Sequence, residues 1–94
     1  MIMSAMLPVY NPATGAEVGR IPDSTPADVD AAVGRAKSVF SSWESVAASA
    51  RSVILVRAAG IIRSRADTLA ALLSAGQGKP IREARDEVQG AAHV

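Results

Sequence analysis

Few residues in this 94-residue chain have types and spacings that could do chemistry. There is no cysteine, so the chain builds no thiolate nucleophile, no disulfide framework and no thiolate metal site. Gly76-Gln77-Gly78-Lys79 invites comparison with a phosphate loop, in which backbone amides and a lysine cradle phosphates. That loop needs a wider glycine spacing, a Ser or Thr after the lysine and a strand before it. Here Pro80 follows Lys79 and a helical pattern precedes Gly76, so the segment reads as a helix-to-helix turn. His93 is the only histidine and has no motif partner, which leaves it a surface or packing role. Glu83 and Glu87 stand one helical turn apart and could share a cation; the plainer reading is a solvated face, on which Arg82 and Asp86 form a favourable pair. Arg51, Arg57, Arg63 and Arg65 are neither interleaved with aromatics nor tightly clustered, which argues against a nucleic-acid surface and predicts surface ion pairs. No residue is assigned as catalytic, cofactor-binding or metal-ligating.

The composition points the same way. Lys plus Arg number 10 against 9 Asp plus Glu, interspersed along the chain, so nucleic acid and anionic membranes are disfavoured as partners. Apolar residues make up 49% of the chain, too many for a disordered tail, but nineteen of them are alanine. Alanine favours helix and buries little area, so a helical protein with a thin core is expected. Met1 to Tyr10 lack a basic start and a long apolar stretch and meet Pro8 early, and no apolar run reaches the ~18 residues of a membrane span. A soluble cytoplasmic protein of one domain, with no second domain, is the expectation.

The elements that must carry these residues follow from local patterns. Leu7–Tyr10 and Ala16–Ile21 flank Asn11-Pro12-Ala13-Thr14-Gly15, where proline fixes one torsion and glycine permits a positive one, and this predicts a β-hairpin. Thr25 can cap a helix, Pro26 suits its first position and Asp28 completes a capping box, so a helix runs from there to about Phe40. Val29, Ala32, Val33, Ala36 and Phe40 give it one apolar face that something must bury. Ser41 to Ser45 break the pattern, with Ser45 as cap of a second helix over 46–64 and Trp43 plugging the corner. The buried face of that helix carries Ile54, Ala58, Ile61 and Ile62. A third helix over about 65–75 has Leu69, Leu72 and Leu73 on one side and ends at the glycines. From Pro80 onward a fourth shows Ile81, Ala84, Val88 and Ala91, and no stop signal closes it before Val94, as if it were cut. The fold class is therefore mostly α, a short N-terminal β-hairpin followed by about four helices.

The ordered set of Asn11-Pro12-Ala13-Thr14-Gly15, Pro22-Asp23, Asp28-Val29-Asp30-Ala31-Ala32-Val33, Phe40 with Trp43, and Gln77-Gly78-Lys79-Pro80 resembles the start of an NAD(P)-dependent aldehyde dehydrogenase. Arg51, Leu55, Arg57-Ala58-Ala59, Ala66-Asp67 and Leu69 to Leu73 also fit that family's consecutive helices, so the likeness covers about residues 7–94. It implies that the chain is a partial aldehyde dehydrogenase segment, residues 1–94, corresponding to the N-terminal helical layer of the α/β cofactor domain. In the family a cysteine thiolate attacks the aldehyde, hydride passes to NAD or NADP, and a glutamate activates water for deacylation. The resemblance places all of these groups beyond position 94, so no cofactor is expected on this chain alone. Some members hold a structural monovalent cation with carbonyls just before the Asn-Pro pair and an acid on the fourth helix. The matching positions are Val9, Tyr10 and Glu87, with glutamate where members often have aspartate. The chain also departs from the family by carrying Gly34, Gly60 and Gly76 at positions of helix formers or an acid, which weakens the helices unless Gly76 serves as a cap.

Three accounts of function follow. The chain is a truncated product, inactive alone; or it is one half of a split enzyme, completed by a polypeptide carrying the rest; or it is a helical interaction module that binds another protein or itself through uncovered apolar faces.

Overall fold

The computed structural model describes residues 5–94. Met1 to Ser4, part of the stretch read above for a targeting signal, lie outside the described residues. The elements in chain order are β1 (Met6–Tyr10), β2 (Glu17–Pro22), α1 (Pro26–Glu44), α2 (Ala48–Ser64), α3 (Ala66–Gln77) and α4 (Ile81–His93). The hairpin and four helices are those the sequence predicts.

Local hydrogen bonds explain the hairpin. Asn11 Oδ1 accepts from the Ala13 amide at 2.8 Å, and the Gly15 amide donates to the Asn11 carbonyl at 2.7 Å. Gly15 sits at φ 76°, the left-handed conformation the turn requires. The strands pair antiparallel, Leu7 with Ile21 and Val9 with Gly19, and a bulge before Tyr10 shifts the register so that Tyr10 meets Glu17.

At the start of α1 the capping box forms as expected. The Asp28 amide donates to Thr25 Oγ1 at 3.2 Å, and the Thr25 amide donates to Asp28 Oδ2 at 2.8 Å. The helix then passes the predicted stop near Phe40 and continues to Glu44. Its serines turn inward: Ser42 Oγ donates to the Val39 carbonyl at 2.9 Å and Ser45 Oγ to the Ser42 carbonyl at 2.9 Å. Serine hydroxyls that bond back one turn are compatible with helix, which is why this serine cluster does not break it. Ser45 is thus the C-cap of α1 and not the N-cap of α2, which starts at Ala48 without a side-chain cap. Trp43 lies in the last turn of α1, next to the turn into α2, and is 39% exposed.

Gly76 falls inside α3, and Gly78 is the cap, at φ 83°. A side chain at Gly78 would bring its Cβ within 2.6 Å of Pro12 Cγ, so the hairpin turn packs directly on the end of α3. Ser74 Oγ ties the following turn by donating to the Lys79 carbonyl at 2.7 Å.

The packed pairs are α3 with α4 and α2 with α4, and more lightly α2 with α3 and β1 with α3. Ala70, Ala84, Val88 and Ala92 are the buried residues, with Ile62, Ala66, Leu69 and Leu73 partly buried beside the first three. The seam on α4 thus follows Ala84-Val88-Ala92, and Ala91 and Ile81, expected on it, are exposed. Ile54, Ile61 and Leu72 are exposed as well, and the expected cover on the α1 face is absent, with Val29 and Val33 each 55% and Phe40 64% exposed. The Cα radius of gyration, 17.2 Å, exceeds the roughly 12 Å of a compact domain of this length, so α1 and the hairpin extend from a small helical nucleus.

Candidate functional site

A groove of about 500 Å³ runs between α2 and the C-terminal end of α4. On the α2 side Arg51, Leu55, Ala59 and Arg63 recur every four residues, a spacing that keeps them on one helix face. Ala92 and His93 close the other side. Arg63 Nη2 donates to the Ala92 carbonyl at 3.3 Å, which pins α2 to the last turn of α4 and satisfies one of that helix's orphan carbonyls. Arg51 Nε donates to the Val46 carbonyl at 3.1 Å. The groove therefore has an apolar middle, where Leu55 is 64% exposed, and a guanidinium near each end of its α2 wall.

Neither Arg51, Arg57, Arg63 nor Arg65 forms an ion pair among the described residues, contrary to the expectation from sequence. The reason is local: Ala48–Ser64 contains no acid, and Glu87 of α4 pairs with Lys79. Arg85 pairs with Asp67 at 3.5 Å across α3 and α4, Lys79 pairs with Glu87, and Arg20 pairs with Glu17 at 2.6 Å within β2. The expected pair of Arg82 with Asp86 does not form.

The other candidate residues are placed as follows. Glu87, one of the two acids that could share a cation and the acid of the cation set implied by the resemblance, has its carboxylate neutralised by the Lys79 ammonium. Among the described residues no three His, Asp or Glu side chains gather as a metal ion would need. The glycine-lysine segment does not fit a dinucleotide phosphate: the Gly78 amide donates to the Ser74 carbonyl at 2.8 Å, Pro12 covers Gly78, and Lys79 is held by Glu87. The Gly78 amide and the Lys79 ammonium, the two donors a phosphate loop would offer first, are thus both committed. His93 lies at the rim of the groove, beside Ala92. Among the described residues no helix is long and apolar enough to cross a membrane. The arrangement can hold an apolar segment with carboxylates at its ends; it presents no nucleophile paired with a base.

The groove was missed in the sequence because it exists only where α2 meets the end of α4. The one signal available was a basic, acid-free helix with apolar residues at helical spacing.

A hairpin packed on the end of one helix, a capped helix before it and an alanine seam at the next place this architecture in a known class. Residues 2–94 match the aldehyde dehydrogenase family, and the chain belongs to that family. It is 44% identical over 84 residues to a probable succinate-semialdehyde dehydrogenase [NADP(+)] of Sinorhizobium fredii, covering 89% of this chain and 17% of the relative. It is 37% identical over 84 residues to the mitochondrial succinate-semialdehyde dehydrogenase of Mus musculus, covering 89% of this chain and 16% of the relative. A crystal structure of PnpE in complex with nicotinamide adenine dinucleotide superposes with a TM-score of 0.87 at 35% identity, over 94% of this chain and 18% of that one. The chain thus spans about a sixth of the length of the relatives it matches.

Proposed function

We propose that this chain is the N-terminal scaffold segment of an NAD(P)-dependent aldehyde-oxidising assembly, and that it has no such activity alone. The supporting observation is the combination of family membership with helix faces left open. Val29, Val33 and Phe40 on α1 and Ile54 and Leu55 on α2 are all about half exposed or more, in a chain spanning a sixth of its relatives. Exposed apolar surface of this extent calls for a cover, and in this reading the cover is the remainder of the enzyme. The chain's own part is positional. The Gly78–Pro12 contact and the Lys79–Glu87 pair fix the hairpin and the turn between α3 and α4, on which the rest would be laid. With no cysteine, the chain supplies no thiolate to attack a carbonyl.

The test is complementation. The purified chain, given an aldehyde with NAD+ or NADP+, is expected to form no reduced nicotinamide. Mixed with a polypeptide covering the remaining five-sixths or so of the Sinorhizobium fredii relative's length, it is expected to gain aldehyde-dependent reduction. Turnover by the chain alone, or a stable complex without turnover, would refute the proposal.

A further inference from the structure

Between Glu44 and Asp67 the chain carries Arg51, Arg57, Arg63 and Arg65 and no acid. Arg51 and Arg63 bond to backbone carbonyls, and Arg57 takes no part in an ion pair or side-chain hydrogen bond among the described residues. Arg51 and Arg57 stand on either side of Val53-Ile54-Leu55-Val56, the only place in the sequence where four large apolar residues follow one another. Successive helical residues turn by about 100°, so this run goes most of the way round α2. All four side chains are exposed, Ile54 least at 51% and Val56 most at 66%. Val53, Ile54 and Val56 are β-branched, which favours strand over helix. The helix has little of its own to oppose that preference: α2 starts without a side-chain cap or an acid in its first turn and carries Gly60 in its interior. In an extended conformation Val53 and Leu55 face one side and Ile54 and Val56 the other, a strand apolar on both faces that stacks with copies of itself.

We infer that Arg51 and Arg57 form a charge bracket that keeps the segment from Val53 to Val56 from stacking as strands with other copies of itself, so that the chain stays dispersed until the segment is covered. In a parallel in-register stack each arginine meets its own copy one strand spacing away, about 4.8 Å. In an antiparallel stack centred on Ile54, Arg51 falls opposite Arg57. Like charges directly opposite destabilise a strand pair, so both orientations are opposed by the same two residues. With no acid from Ser45 to Ala66, no near neighbour in sequence neutralises them. Charged residues at the flanks of an apolar segment are a recurring protection against such stacking. The bracket acts before any cover is laid over α2, and it is independent of whether the cover belongs to an aldehyde-oxidising assembly.

Aggregation of the full 94-residue chain, followed by light scattering and thioflavin T fluorescence, tests it. Each variant is incubated at its own urea midpoint, so that equal fractions of chain are unfolded and native stability does not enter the comparison. Arg57→Ala is expected to shorten the lag before aggregation about threefold or more, because one of the two like-charge contacts is gone. Arg57→Lys keeps the charge and should match wild type. Added salt should shorten the wild-type lag by screening the arginines. Arg57→Glu should aggregate fastest, since antiparallel strands then set Arg51 against an acid, and Arg51→Glu with Arg57→Glu restores like charges and should return the lag to the wild-type range. Ile54→Lys added to Arg57→Ala should remove the thioflavin signal, which ties the effect to this segment. Arg57→Ala aggregating no faster than wild type, Arg57→Lys aggregating as fast as Arg57→Ala, or the double glutamate variant aggregating as fast as Arg57→Glu would each overturn the inference. So would a thioflavin signal that Ile54→Lys leaves unchanged.

Discussion

At the scale of single residues, Thr25 and Asp28 decide where α1 begins. The Thr25 backbone amide holds the Asp28 carboxylate below its ordinary range, and the Thr25 hydroxyl adds to this, with a small opposing effect of desolvation. A carboxyl depressed in the folded state contributes stability that is present above its unfolded value and is lost as pH falls through its folded value. The capping box is therefore expected to support α1 fully at neutral pH and to lose that support in acid, as pH falls from the ordinary aspartate value through the depressed one. An NMR titration of the Asp28 carboxyl should give a midpoint below the ordinary value of an aspartate. In Thr25→Ala the midpoint should move only part of the way back, because the larger cause, the backbone amide, remains. The same substitution should cost α1 about 1 kcal/mol, the usual loss for a helix N-cap. A midpoint that does not move, with unchanged helicity by circular dichroism, would show that the box does not form in solution.

At the scale of elements, identical glycine-to-alanine changes should have opposite signs. Gly60 lies inside α2 with nothing within 4 Å of an added Cβ, so Gly60→Ala is expected to stabilise by about 0.5–1 kcal/mol. Gly78 holds a left-handed backbone and would drive its Cβ into the Pro12 ring. Gly78→Ala should therefore destabilise by about 1–2 kcal/mol from the backbone alone, and by more from the clash. Urea melts followed by circular dichroism check both, and a stabilising Gly78→Ala would refute the reading of the α3 cap. This contrast also shows what the sequence could and could not reveal. The hairpin, the capping box and the number of helices were legible because each is set by residues close together in the chain. The glycine pair at 76 and 78 was read correctly as a helix end, but which of the two caps it depends on where Pro12 lies. The serines at 42 and 45 were misread as a break because their hydroxyls bond to the preceding turn, which composition alone does not disclose. The helical periodicity of α1 and α2 named faces suited to burial, yet periodicity states what a face prefers and not what covers it. That is why Val29, Ile54 and Leu72 were expected inside and are found outside. The groove was the least legible feature, since it joins α2 to residues some thirty positions onward, at Ala92 and His93.

At the scale of the whole molecule, the thin alanine seam sets the order in which the structure opens. The buried residues Ala70, Ala84, Val88 and Ala92 all lie on α3 and α4, and α1 has none. Each buried alanine removes little apolar area from water, so the nucleus gains its stability from several close helix approaches and not from large side chains. Amides protected by packing open only with the packed unit, whereas those of an unpacked helix open by local fraying. Hydrogen exchange of the chain is therefore expected to be slowest in the middles of α3 and α4 and fastest in α1. Val29 to Phe40 should exchange faster than Leu69 to Leu73 even though α1 is the longer helix and has the stronger N-cap. Uniform protection across all four helices would mean that α1 has packed onto its own nucleus, removing the open face on which the proposed function depends.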